Sequence, residues 1–117
     1  MISIEAIIRP ERINQVTSAL EEAGCQGFYY YNVTGQGRQR GVEVFVGRAG
    51  QMASRSAVQK TIVRTIVDDA MKEKVIAAIV DASRTPGEGQ IGDGKIVVTS
   101  VSDLVRVSTG EQGSEAL

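Results

Sequence analysis

Strand, helix, strand: that order is written twice into this chain, and a stretch dense in glycine and arginine lies between the two copies. In the first copy Ile2, Ile4, Ala6 and Ile8 alternate with Ser3, Glu5, Ile7 and Arg9, a period of two that predicts a strand. Pro10 ends that strand and suits the first turn of a helix. Ile13, Val16, Leu20 and Ala23 then recur at helical spacing, Gly24 is a stop signal, and Phe28–Val33 has strand propensity. In the second copy Val58–Val67 is β-branched and reads as a strand, and Asp68-Asp69 can cap the next helix. Met71, Val75, Ile79 and Ala82 make one face of that helix. The glycine-dense loop Thr85–Gly94 follows, then a strand over Ile96–Val101, a short one over Leu104–Val107 and a polar tail.

Between the copies, Gly35–Ala57 carries five glycines and Arg38, Arg40, Arg48 and Arg55, and only Val42–Val46 reads as a strand. A loop this long in a compact domain is functional or disordered. The whole order is the split βαβ, or ferredoxin-like, arrangement of the α+β class. It puts two helices on one face of an antiparallel sheet and leaves the other face for something else to cover, a trimer or dimer being the obvious cover. At 117 residues the chain fits a single domain, 1–117.

Composition narrows the chemistry. A formal net charge of −1 supplies no basic field for nucleic acid. The chain has no histidine, so the commonest general base and metal ligand are missing; no metal site and no catalytic constellation is expected. Cys25, the single cysteine, cannot form an internal disulfide. It reads as a small semi-buried side chain, with a redox role as the sharper alternative. Met1–Glu5 has neither a basic nor an unbroken apolar stretch, and no segment approaches the ~18 apolar residues of a membrane span. The expected location is the cytoplasm, with membrane contact only through a partner.

Three segments at strand ends suggest an anion site. In Gly87–Lys95, glycines let successive backbone N–H groups converge on an anion and Lys95 adds a full charge, although no Walker motif is present. A plain turn remains the alternative. Arg106 is followed by Val107-Ser108-Thr109-Gly110-Glu111, and Gly35-Gln36-Gly37-Arg38-Gln39 opens the long loop; each can also be read as solvated surface. The run Tyr29-Tyr30-Tyr31 is either a stacking platform or a strand buried between subunits.

Four segments, in order, resemble the PII signal-transduction proteins over nearly the full length: Ile4–Pro10, Gly35–Gly41, Ile91–Ile96 and Arg106–Glu111. The resemblance implies a homotrimer that binds adenine nucleotides (ADP, AMP or ATP) between neighbours. Residues 37–57 look like the family's T-loop, which reaches a target protein, 85–95 like its B-loop, and 106–117 like its C-loop and tail. By similarity, Gly35, Gly37, Arg38 and Gln39 approach the nucleotide, Gly92, Asp93, Gly94 and Lys95 cradle its phosphates, and Arg106 with Ser108 meets them from the adjacent subunit. Gln39 and Lys60 would meet 2-oxoglutarate when magnesium-ATP is present, and Phe45 and Arg48 near the loop tip would contact the partner.

The departures carry expectations of their own. Ser108 stands where the family usually has a second arginine, which removes a cation from the γ-phosphate. Pro86-Gly87-Glu88 lengthens the B-loop, and Glu88 adds negative charge near the phosphates. Both favour ADP or AMP over ATP. The T-loop has no tyrosine, and Ile62 and Arg64 stand where the family often has Lys and Glu. Two pathways stay open: 2-oxoglutarate sensing with control of an ammonium transporter, or an inorganic-carbon role in which bicarbonate is a co-ligand and the partner is a bicarbonate transporter or carboxysome component. An acylphosphatase-like enzyme and a structural trimer without ligand are the competing classes.

Overall fold

The first strand, β1 (Ile2–Ile8), is the axis of the molecule. The computed structural model describes residues 1–36 and 57–117 in full, and of 43–46 and 51–54 the backbone alone. A 3-10 turn at Pro10–Arg12 leads from β1 into helix α1 (Ile13–Glu22), which ends where Gly24 takes a φ of 92°. The chain returns as β2 (Phe28–Gly35). Two short segments, β3 (Glu43–Val46) and β4 (Gln51–Ser54), pair with each other as a separate antiparallel ribbon. Then come β5 (Val58–Val67), α2 (Lys72–Ser83) and β6 (Gly94–Ser100).

The main sheet has the order β2-β5-β1-β6 with every neighbour antiparallel, the ferredoxin-like topology read from the sequence. Alternation of side chains decides its two faces. Ile4, Ala6 and Ile8 of β1 and Val63 of β5 point to the helices and are buried with Val16, Leu20, Val75 and Ile79 in one core. The helices meet this face because their apolar residues repeat at helical spacing. The opposite face carries Ser3, Glu5 and Ile7 of β1, Ile62 and Arg64 of β5, Tyr29 and Tyr31 of β2, and Lys95 and Val97 of β6, as the register requires. No helix covers it. Tyr29 and Tyr31 stack with ring centroids 6.4 Å apart and remain about half exposed, and Val97 is 44 % exposed.

Asp68 caps the 3-10 turn Asp69–Met71 that leads into α2, its side chain accepting from Ala70 N–H at 3.1 Å, while α2 itself starts after Met71 without a side-chain cap. Asp69 instead pairs with the terminal ammonium of Met1. Three expectations need correction. The segment Gln51–Ser54 pairs with Glu43–Val46, although it lacks the alternation that would have marked it as a strand. β6 starts at Gly94 rather than Ile96, because Gly94 and Lys95 already pair with Ile8 and Ile7. Leu104–Val107 forms no strand; Val105 makes one isolated bridge with Gln112, and Gly113–Ala116 is a 3-10 turn. The segment folds back on itself instead, with Gly113 N–H donating to the Leu104 carbonyl and Arg106 N–H to the Glu111 carbonyl, both at 2.9 Å.

Cys25 is buried, and burial raises its thiol above the ordinary range against the opposing pull of the Thr65 hydrogen bond and Lys74. A raised thiol carries little thiolate, so the structural reading of this residue fits its surroundings.

Candidate anion-binding site

Where β1 ends and β6 begins, the loop after α2 folds against the sheet. Gly94 sits opposite Ile8, with a φ of 126° and so little room that a Cβ there would lie 1.8 Å from the Ile7 carbonyl oxygen. Gly92 also has a positive φ, 99°. Only glycine combines such a conformation with so close an approach. Main chain is thereby brought onto the floor of a cavity of about 460 Å³, lined by Ile7, Val33, Gly35, Gln36, Val58, Lys60, Ile62 and residues 90–95. The cavity lies at the end of the face that the helices leave bare, since Ile7, Ile62 and Lys95 belong to that face.

Among the described residues two cations line it. Lys95 is exposed at its rim, and the Lys60 ammonium donates to the Gly92 carbonyl. Burial lowers the Lys60 pKa and the nearby Arg9 lowers it further, while Glu11 and Asp93 act in the opposite direction. Behind the wall, Arg9 donates through Nε to Asp93 Oδ1 at 3.0 Å and through Nη2 to the Ile91 carbonyl at 3.1 Å. Asp93 does not present its carboxylate to the cavity as an open charge. It also accepts from Thr85 N–H at 2.9 Å, Thr85 Oγ1 at 2.6 Å and Gln90 N–H at 2.9 Å. Burial pushes its pKa upward, but these donors outweigh burial and hold the carboxyl well below the ordinary carboxylate range. Glycine main chain, two lysines and a neutralised carboxylate make a cradle suited to an oxyanion.

Of the residues singled out from the sequence, Gly35, Lys60, Gly92, Asp93, Gly94 and Lys95 line this one cavity. Gly37, Arg38, Gln39 and Arg48 lie outside the described residues, and Phe45 is described only as backbone in β3. Glu88 does not line the cavity; it is exposed, and its carbonyl accepts from Arg84. Its expected charge effect on the phosphates therefore loses its local basis. Arg106 and Ser108 are absent from the lining too. The segment that carries them follows the far end of β6, where Val101 N–H bonds the Met1 carbonyl. Seven residues of strand, about 20 Å, separate the two ends. Arg106 there donates to the carbonyls of Ala116 and Leu117 at 3.3 and 2.7 Å. Within one chain the cradle and Arg106 do not meet.

Sequence reasoning assigned no role to Arg9, Thr85 or Gln90, all of which shape the cradle. Arg9 looked like the last outward residue of a strand, and nothing local marks a cation whose partner lies 84 positions away.

The fold and cavity together define a small α+β domain of the ferredoxin-like class with a glycine-floored, cation-lined cavity at the end of its bare sheet face. Comparison with known proteins makes that class specific. The family model described as nitrogen regulatory protein P-II matches residues 1–111. Nitrogen regulatory protein P-II 2 of Methanothermobacter thermautotrophicus is 41 % identical over 118 aligned positions, covering 100 % of this chain and 97 % of the relative. The P-II protein of Azospirillum brasilense is 38 % identical with both chains fully covered. The crystal structure of Arabidopsis thaliana PII bound to citrate superposes with a TM-score of 0.76 at 37 % identity, over 99 % of this chain and 91 % of that one. The chain belongs to the P-II family of regulatory proteins. It is a regulator, not the acylphosphatase-like enzyme that the fold alone leaves open.

Proposed function

We propose that this P-II family member binds adenine nucleotides between copies of itself and passes their occupancy to a partner through residues 37–57. The observation that carries the reading is the cavity at the end of the bare sheet face, with Gly92 and Gly94 on its floor and Lys60 and Lys95 on its walls. A polyphosphate needs converging N–H donors and several cations, and this is where the chain supplies them. The position on the uncovered face favours a site completed by a neighbour. In a homotrimer formed through Tyr29, Tyr31 and Val97, the bare face is covered and Arg106 of another copy can approach. The whole chain, 1–117, then acts as one domain, with 85–95 as the cradle and 106–117 as the contribution to the next subunit.

Ser108 in place of a second cation supports ADP or AMP over ATP, whose extra charge calls for an extra partner. Lys60 in the same cavity supports a small anionic co-ligand beside the nucleotide, such as bicarbonate or, with magnesium-ATP, 2-oxoglutarate. The related Arabidopsis protein holds citrate, itself a small carboxylate. The ligand biases the 37–57 loop only by the difference in its affinity for the loop's docked and undocked states. Phe45 and Arg48 are the contacts proposed for the partner, an ammonium or bicarbonate transporter or a carboxysome component.

Calorimetry with ADP, AMP and ATP, each with and without bicarbonate or 2-oxoglutarate plus magnesium, tests the proposal. Submicromolar to micromolar ADP binding with weaker ATP binding is expected. Tighter ATP binding overturns the preference, and no binding by any nucleotide overturns the site.

A further inference from the structure

An aspartate in an anion cradle is self-defeating unless its charge is committed elsewhere. Asp93 accepts four hydrogen bonds, two on each carboxylate oxygen: Oδ1 from Arg9 Nε and Thr85 Oγ1, Oδ2 from Thr85 N–H and Gln90 N–H. These donors come from three places in the chain: the end of β1, the first residues after α2, and the middle of the loop. The carboxylate therefore closes two nested rings. The inner one runs from Gln90 to Asp93 and is reinforced by Asp93 N–H donating to the Gln90 carbonyl at 3.1 Å. The outer one joins Thr85 to Asp93 and leaves residues 86–89 looped out between them. Pro86, Gly87 and Glu88 in that loop are exposed. Gly89, with a φ of 77°, packs so close that an added Cβ would meet Asp93 Oδ2 at 3.1 Å and Arg84 Nε at 3.2 Å. Arg9 completes the arrangement by holding the Ile91 carbonyl, which ties the inner ring to the sheet.

We propose that Asp93 is the positioning residue of the anion site: its carboxylate sets the main-chain geometry of residues 90–95 and insulates it from the 86–89 stretch, and it does not touch the ligand. The proposal rests on the nucleotide reading of the same cavity. It reverses the simple electrostatic expectation. Near a bound phosphate, removing a negative charge should tighten binding by Coulomb's law. Removing the clamp should weaken it, because the glycine N–H groups are no longer held in place before the ligand arrives. The same clamp gives Pro86-Gly87-Glu88 little influence on affinity, although these residues sit in the loop that carries the cradle.

The test uses the full-length protein as wild type, Asp93→Asn, Thr85→Val, Thr85→Ser and a variant lacking residues 86–88. Two quantities are measured: amide hydrogen exchange of residues 85–95 without nucleotide, and ADP affinity by calorimetry. Asp93→Asn is expected to speed exchange at Gln90–Gly94 and to weaken ADP binding, each by about tenfold, the scale of one lost charge-assisted hydrogen bond. Thr85→Val shifts both in the same direction by a smaller factor. Thr85→Ser, which restores the hydroxyl, returns both to wild-type values, a rescue that general loss of fold would not produce. Deleting 86–88 changes ADP affinity by less than about twofold, as expected for an exposed stretch outside the cavity lining. Should Asp93→Asn fail to fold, the Thr85 pair decides the question. ADP binding by Asp93→Asn at least as tight as wild type overturns the inference, as does unchanged exchange. A wild type that binds no ADP overturns the nucleotide reading, whereas wild-type exchange in Asp93→Asn overturns the positioning role alone.

Discussion

Lys95 at the start of β6 and Arg106, six residues past its end, are two of the cations of the proposed site, and the chain treats them in opposite ways. At the start of the strand Lys95 stands exposed on a segment whose main chain is held by other residues: Asp93, Arg9 and a glycine pressed against β1. After its end, Arg106 is itself the clasp. Its guanidinium holds the carbonyls of Ala116 and Leu117, while its own N–H bonds the Glu111 carbonyl and its carbonyl accepts from Gly110. Order in the first loop does not draw on the Lys95 side chain. In the second, Arg106 would have to exchange main-chain oxygens for the proposed ligand. A preorganised group contributes more of its interaction energy to binding than one that first breaks contacts.

Five changes would break or sharpen this contrast. The largest effect is expected from Gly94→Ala, since the new Cβ would lie 1.8 Å from a backbone oxygen that cannot move aside. A loss of at least about 3 kcal/mol is expected in denaturant unfolding, with the cradle lost together with the β1–β6 pairing. Next comes acid. The Asp93 carboxyl is held below its unfolded value, so its stabilisation is complete above an unfolded pKa of about 4 and is lost as pH falls through that value toward the folded one. Wild-type stability should therefore begin to fall near about pH 5 and keep falling below about pH 3, and Asp93→Asn should show a flatter profile over the same range in thermal melts.

The two cations themselves follow. Lys95→Ala should weaken ADP binding about tenfold with little change in melting temperature, because the side chain is exposed and the loop is held by others. Arg106→Ala should weaken it by a smaller factor, about threefold, and should also loosen the 113–117 turn in hydrogen exchange, since the ligand gains less from a cation already in use. Equal losses from both would erase the contrast between the two ends. The smallest effect belongs to Val107→Asn beside Arg106. That side chain is 99 % exposed, and stability should stay within about 0.5 kcal/mol of wild type.

Much of this architecture was legible in local patterns. The alternation in Ile2–Ile8 named the buried face of the sheet, the β-branched run Val58–Val67 named a second strand, the spacing of Val16, Leu20, Val75 and Ile79 named the helix faces that cover the sheet, and Gly24 and Asp68 marked helical boundaries. The glycines of 91–95 and their lysine marked the cradle, since a positive φ and a close approach are properties of a single residue type. The ribbon between 43–46 and 51–54 was not legible, because pairing makes a strand of Gln51–Ser54 that its own composition does not announce. The fate of Leu104–Val107 was likewise decided by its neighbours.

By itself, then, the sequence determined which residues lie on which face and where the chain must turn, because periodicity, proline and glycine act over a few residues. Only the tertiary structure decided that four donors surround the Asp93 carboxylate, that Glu88 stands away from the cavity, and that Arg9 reaches Asp93 across the fold. A carboxylate's role depends on which donors surround it, and three of the four on Asp93 are set by loop closure while the fourth comes from the other end of the chain. No local pattern records that meeting.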